Sequence, residues 1–272
     1  MAIARPFLHI AEAENSVIAQ PAARMATAPN EDDAGSYFAS VSSEAGVVGA
    51  AFAGASGGVV ITRAPDDAAT LIANDLADRG RNLKSVVGPL PSCEAFARAW
   101  RQRTGRAHVL RVHLRHFELA GDPVVSPAPG ILRLPEAREH TLIADWHVAF
   151  FDELGLPDDR ARAQRNLARR IERGFVRLWD DGGAVAFVGF GQGDAETVRI
   201  APVYTLPHFR GRGYASAMVG ELARQLRRGG TRAIFLTTDV ANPTSNGVYQ
   251  RIGFRAVADH FHFDFVAIQA RA

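Results

Sequence analysis

Hydrophobic and polar residues along this chain switch repeatedly between a period of two and a period near 3.6, and the switches are punctuated by glycine and proline. Strict alternation places every second side chain on one face of a strand; recurrence at i, i+3, i+4 and i+7 stripes one face of a helix. In the second half these patterns predict a short strand at 131–134 and a helix over 136–154, with Leu142, Trp146, Ala149 and Phe150 on one stripe. A second helix is expected over 158–173, N-capped by acid and ended by Gly174. Strands at 175–179 and 185–190 flank the turn Asp180-Asp-Gly-Gly183, a hairpin signal. A strand at 197–203 leads into a glycine-rich turn. Next, Ala215, Met218, Val219, Leu222, Ala223 and Leu226 mark an amphipathic helix that stops at Gly229-Gly230. A buried strand at 233–238, a short helix at 245–252 and a strand over 254–265 complete the order.

The first half repeats this order with less punctuation. Strands are expected at 37–43, 47–53, 59–62 and 85–87, a long final strand at 108–119, and helices over 66–78 and 94–102. The first 35 residues are expected to hold a helix and a flexible stretch. The similar order suggests a diverged second copy of one unit. Between the halves, Ala120-Gly-Asp-Pro-Val-Val-Ser-Pro-Ala-Pro-Gly130 carries three prolines and two glycines without periodicity, so it is expected to be extended. The expected division is therefore 1–122, a linker at 123–130, and 131–272.

Composition narrows the class. The chain has 272 residues, 47% of them hydrophobic, and a net charge of only +2. That balance points away from a nucleic-acid partner, and no apolar run approaches the roughly 18 residues of a membrane span. The opening residues show no secretory leader, and Cys93 is alone, so neither a disulfide framework nor a cysteine zinc site is expected. A cytoplasmic setting and no metal follow as expectations. Arginine replaces lysine almost everywhere, with Lys84 the sole exception; with abundant alanine this suggests a GC-rich bacterial source.

The most informative stretch is Val203-Tyr-Thr-Leu-Pro-His-Phe-Arg-Gly-Arg-Gly-Tyr-Ala-Ser216. An apolar strand enters a basic, glycine-rich turn that opens a helix. Amides at a helix start have no intrahelical partner and lie at the positive end of the helix dipole. Gly211 and Gly213 clear the approach to them, and Arg210 and Arg212 add positive charge. Such a turn can cradle a pyrophosphate. It is not a dinucleotide fingerprint, because Ser216 stands at the third glycine position, and Lys84-Ser85 lacks the glycine of a phosphate-binding loop. The corresponding place in the first half reads Arg63-Ala-Pro-Asp66-Asp67, with two carboxylates that would repel phosphate. One competent site per chain is expected.

A second cluster follows about thirty residues later: Asn242-Pro-Thr-Ser245-Asn-Gly-Val-Tyr249-Gln-Arg-Ile-Gly253-Phe254. On their own, Asn242 reads as a helix cap, Tyr249 as packing and Gly253 as a helix end. The two clusters together resemble the GNAT superfamily of acetyl-CoA-dependent N-acyltransferases. Arg210-x-x-Gly213-x-Ala215 and Asn242-x-x-Ser245-x-x-x-Tyr249-x-x-x-Gly253-Phe254 carry the resemblance, which covers roughly the second half.

The resemblance implies an α/β (α+β) fold with a mixed, mostly antiparallel central sheet flanked by helices, two such domains standing in tandem. It implies acetyl-CoA as cosubstrate and a primary amine as acceptor. Two adjacent strands, 197–203 and 233–238, would splay to admit the pantetheine arm. Val203, Tyr204 and Thr205 would line it, backbone donors from Arg210 through Gly211, Arg212, Gly213, Tyr214, Ala215 and Ser216 would hold the pyrophosphate, and Asn242 and Ser245 would flank the arm. Tyr249 would protonate the departing thiolate. Many relatives place a glutamate early in the first of those strands as general base; Glu196 is the nearest counterpart, and a water chain or a neutral amine is the alternative to it. Residues 136–154, the next helix and the strand end near Gly189 would frame the acceptor, with Trp146, Phe150 and Phe151 apolar and Asp145, Asp152 or Glu153 drawing the amine. The acceptor stays open among small amines, amino acids, antibiotics and protein N-termini. A homodimer is compatible with this reading, and a non-catalytic acyl-CoA-binding module is the rival to it.

Histidines carry less weight. His113 and His116 fall on opposite strand faces, and His260 and His262 share a face with Asp264 that is expected to be solvated.

Overall fold

A computed structural model describes residues 3–155, 160–193 and 196–267. The first half runs α1 (Arg5–Ile10), α2 (Glu12–Thr27), β1 (Tyr37–Ser43), β2 (Gly46–Ala53), β3 (Gly58–Ile61), α3 (Asp66–Asp78), β4 (Ser85–Gly88), α4 (Leu90–Thr104) and β5 (Ala107–Leu119). After a short β6 (Ile131–Arg133), the second half repeats that order: α5 (His140–Glu153), α6 (Arg160–Glu172), β7 (Val176–Asp180), β8 (Ala184–Gln192), β9 (Thr197–Thr205), α7 (Tyr214–Arg228), β10 (Ala233–Asp239), α8 (Pro243–Ile252) and β11 (Phe254–Val266). In both halves a helix pair precedes three strands, and the third strand passes through a helix to a parallel neighbour: β3 to β4 and β9 to β10. The sheet is mixed and mostly antiparallel, with strand order β1-β2-β3-β4-β11-β5-β10-β9-β8-β7-β6.

The chain divides into two compact units. One comprises Met1–His116, Thr237–Asn242 and Ala256–Ala272; the other comprises Phe117–Leu236 and Pro243–Arg255. The first unit buries one core of Ile61, Ile72, Leu76, Phe96 and Trp100, which Phe263 and Phe265 of β11 complete. Register explains the arrival of those phenylalanines, because Phe261, His262, Phe263 and Asp264 pair antiparallel with Gly88, Val87, Val86 and Ser85 of β4. In the second unit one core lies between the sheet and α7, with Val198, Ile200, Met218, Val219 and Leu222. Another lies under α5 and α6, with Ile143, Trp146, Leu167, Phe187 and Tyr204.

Several local expectations change. The first 35 residues hold two helices and a short 3-10 turn at Glu31–Asp33. On α5, Trp146 is buried and Ala149 and Phe150 pack against the same core, as predicted, whereas Leu142 is exposed and Ile143 and His147 are buried beside Trp146. The acid cap foreseen for α6 falls on residues outside those described. The 120–130 segment is pinned along its length: Ala120 N–H donates to Gly253 O (3.1 Å), Val124 N–H to Ile252 O (2.8 Å), and Trp179 Nε1–H to Pro129 O (2.9 Å). His260 corrects the expectation of a solvated face. It is buried, stands edge-on to His116 at 4.2 Å between ring centres, and has Glu14 of α2 at 3.7 Å. Alternation reveals two faces but not which is covered, and here Glu14 of α2 reaches His260 on the polar one.

Candidate active site

Strand β9 carries the site, and a bulge sets its geometry. Val188 pairs with Val203, and Phe190 with Ile200, so two residues of β9, Ala201 and Pro202, oppose the single Gly189 of β8. A one-residue excess reverses which side chains face each layer. Before the bulge Val198 and Ile200 pack toward α7; after it Val203 does so, while Tyr204 packs among the α5 and α6 side chains. Gly189 is required here, because a Cβ would meet Pro202 Cδ at 2.9 Å and Ala201 O at 3.0 Å. Pairing of β9 with β10 covers Ala233–Leu236 against Thr197–Ile200 and ends there, although β9 runs on to Thr205. Pro202 has no N–H to offer a neighbour. Thr205 Oγ1 is buried without a hydrogen-bond partner.

The turn after β9 is built to leave amides open. A 3-10 turn, Pro207–Phe209, leads to Arg210 in extended conformation, then Gly211 at φ +76° and Gly213 at φ +83°. Both glycines sit where side chains are disfavoured, and a Cβ on either would meet nothing within 4 Å. The first bond of α7 runs from Ala217 N–H to Gly213 O (3.1 Å), and no side chain caps the helix. Among the described residues, no hydrogen bond to a carbonyl is formed by the amides of Gly211 through Ser216. Space is open beside Gly211 and Gly213, at the start of the helix.

The side chains of this turn serve its shape. Arg210 donates from Nη2 to Glu153 Oε1 and Oε2 (2.8 and 2.9 Å) and from Nε to Thr205 O (2.9 Å), over the ring of Tyr204. Arg212 lies over Phe209. Tyr214 is buried and donates its hydroxyl hydrogen bond to Asp181. Ser216 is buried with its Oγ 3.0 Å from Ser126 Oγ. Glu153, foreseen as an attractor for an amine, is thus occupied by Arg210 and by the hydroxyl of Tyr204 (3.1 Å).

Tyr249 of α8 is buried against Phe117 and Phe254, and burial pushes its phenol up to about 12. It therefore stays protonated through the neutral range. Asn242 lies in the turn that ends β10, its N–H donating to Asp239 O (3.1 Å), and Ser245 is on the first turn of α8. Glu196 is not brought to this end. It occupies an exposed turn before β9 at φ +58°, its carbonyl accepting from Arg232 N–H (2.9 Å). Val203 lies seven positions further along, on the order of 20 Å at the usual strand rise. Sequence patterning did not single out Arg170 of α6, which lies beside Gly189, or Arg199 of β9, opposite Gly191; for Arg199 the signal was present as a charged residue inside an apolar strand.

The corresponding turn of the first unit is closed. Asp67 Oδ1 accepts from Ala68 N–H (2.8 Å), Asp66 pairs with Arg98 (2.8 Å), and Ser92 Oγ accepts from Ala64 N–H (2.9 Å). Its helix-start amides face the chain's own oxygens and carboxylates.

Among the described residues no cluster of three or more His, Cys, Asp or Glu could hold a metal ion, and no helix is long and apolar enough to cross a membrane.

Comparison with known proteins agrees with this geometry. The acetyltransferase (GNAT) family matches residues 140–254. No curated protein matches the chain in sequence. Among solved structures, a GCN5-related N-acetyltransferase from Sphaerobacter thermophilus is 15% identical over 84% of this chain and 79% of its own, with a TM-score of 0.60. A GNAT-family acetyltransferase from Colwellia psychrerythraea is 13% identical over 89% and 88%, with a TM-score of 0.58. A tandem GNAT protein from the clavulanic acid biosynthesis pathway is 15% identical over 99% and 96%, with a TM-score of 0.57, so nearly the whole chain shares its fold. With its bulged strand, open glycine turn and buried tyrosine, the segment 140–254 is an acetyltransferase domain of the GNAT family.

Proposed function

We propose that this protein transfers an acetyl group from acetyl-CoA to a primary amine by direct attack, with both reactants bound together. The observation that carries this reading is the run of open amides from Gly211 to Ser216 at the start of α7, in a domain of this family. Acetyl-CoA supplies an activated acetyl thioester. In this reading the chain's own groups do the rest. Amides 211–216 hold the pyrophosphate, aided by the helix dipole. The outer edge of β9 from Val203 to Thr205 pairs with the pantetheine amides, and Thr205 Oγ1 gains a partner that it lacks among the described residues. Asn242 and Ser245 flank the arm. Arg210 positions the turn from its bonds to Glu153 and Thr205 O. A main-chain N–H near Val203 donates to the oxygen on which negative charge develops.

Tyr249 protonates the departing sulfur. Its raised affinity for the proton keeps it in the donating form at neutral pH. Given the position of Glu196, the amine loses its proton to water or arrives neutral. A covalent enzyme intermediate has no role here: Cys93 belongs to the first unit's core, and burial with Glu94 nearby pushes its thiol up. Catalysis is assigned to 131–272, with 1–122 a helper that holds no second cosubstrate.

The test is acetyl-CoA-dependent thiol release with amines, comparing the full chain with Tyr249→Phe. Loss of about a hundredfold in kcat with little change in acetyl-CoA affinity is expected for a proton donor. Unchanged turnover would remove Tyr249 from the mechanism. Tight binding without turnover against any amine would favour the rival reading, an acyl-CoA-binding module.

A further inference from the structure

On the layer where α6 covers β8 and β9 lies Arg170, which forms no ion pair with a carboxylate among the described residues. Nη1 of Arg170 lies 3.3 Å from the point a Cβ of Gly189 would occupy. That same point is 3.0 Å from Ala201 O and 2.9 Å from Pro202 Cδ, so the guanidinium rests against the bulge itself. Ala201 and Pro202 immediately precede Val203, where the thioester end is placed by the reading above. Arg199, paired with Gly191 and on the same layer by alternation with Val198 and Ile200, adds like charge nearby.

Burial first, and the charge of Arg199 second, push Arg170 down to about 10. Among the described residues no carboxylate forms an ion pair with Arg170. A guanidinium surrounded by protein without an anion is costly, because desolvation is not offset. Both side chains are half-buried and keep partial contact with solvent. The planar fork of arginine suits a carboxylate, which it can bind through two parallel hydrogen bonds.

We propose that Arg170 binds an anionic group of the acceptor, so that the substrate is a small amine carrying a carboxylate. This rests on the acetyltransferase reading. Holding the anion at the bulge turns the amine toward Val203 and the thioester. The opposite preference, for cationic amines drawn by acids, loses one of its three candidates, since Glu153 is paired with Arg210.

The experiment uses the full chain and acetyl-CoA-dependent thiol release with free amino acids and their matched carboxamides; phosphoethanolamine against ethanolamine tests phosphate as the anion. The expected result is a preference of roughly tenfold or more in kcat/KM for acids over amides, the size of a hydrogen-bonded charge. Arg170→Gln should collapse that ratio toward one by raising KM for the acid alone, and Arg170→Lys should restore part of it. Amides accepted as readily as acids, a ratio kept in Arg170→Gln, or no acid acetylated while acetyl-CoA binds would each overturn the proposal. A preference confined to the phosphate pair would overturn the carboxylate assignment. Failure to bind acetyl-CoA would instead overturn the transferase reading. In that case Arg170→Met still decides about the arginine: a binding residue with no internal partner predicts a higher Tm, and an unchanged or lower Tm means a structural role.

Discussion

Tyr249 packs its ring between Phe117 and Phe254, so that ionising it would bury a phenolate among apolar groups. Burial raises its folded-state pKa to about 12, above the ordinary phenol value of 10.0. The folded chain then holds a proton that the unfolded chain releases, and stability falls as pH rises between those two values. Tyr249→Phe should flatten this alkaline decline by up to one proton's worth of slope, which Tm measurements from pH 9 to 11.5 would detect. An identical slope in the variant would mean the phenol ionises freely in the folded chain. At this scale the sequence was legible in part. The glycines of the turn, the tyrosine and the paired acids of the first unit's counterpart could be named from residue type and spacing. The partners of Arg210, Ser216 and Glu153 could not, because those contacts come from segments 57, 90 and 57 positions away. Arg170 was hidden for the same reason: what faces a cation is visible only when its surroundings are known.

Among elements, the β8–β9 bulge is the device on which the site depends. It hands Val203 to one layer and Tyr204 to the other, and it seats Arg170 over Gly189. Gly189→Ala places a methyl group 2.9 Å from Pro202 Cδ and 3.0 Å from Ala201 O, neither of which can swing aside. A loss of about 1–3 kcal/mol is expected from such overpacking, together with a fall in acetyl transfer, measured by chemical denaturation and turnover. A fully stable, fully active Gly189→Ala would mean the bulge is not needed in its present form. The order of strands and helices was read well from periodicity, since each switch of period is punctuated by glycine or proline. The bulge was not, because an apolar strand with one extra residue has the same composition as one without. The exposure of Leu142 escaped for a related reason: Leu142 and Ile143 are equally apolar, and only the packing of α5 decides between them.

For the whole molecule, the repeat of elements between the two halves was legible, but the destination of the last strand was not. Residues 261–264 pair with β4, and Phe263 and Phe265 enter the core that holds Phe96 and Trp100. A chain beginning at Gly130 would leave those strand amides unpaired and those rings exposed. It is expected to aggregate or to lack a cooperative transition, as judged by calorimetry and size-exclusion chromatography. A monomeric, sharply melting fragment would show that β11 does not need the first half. The asymmetry between the halves has a simpler cause: one helix start offers open amides, the other is filled by Asp66, Asp67 and Ser92. The most direct test of that claim is titration calorimetry of the full chain with acetyl-CoA, beside Gly213→Glu, whose side chain would enter the open space at φ +83°. One site per chain, lost in the variant, is the predicted result; two sites, or undiminished binding by Gly213→Glu, would contradict it.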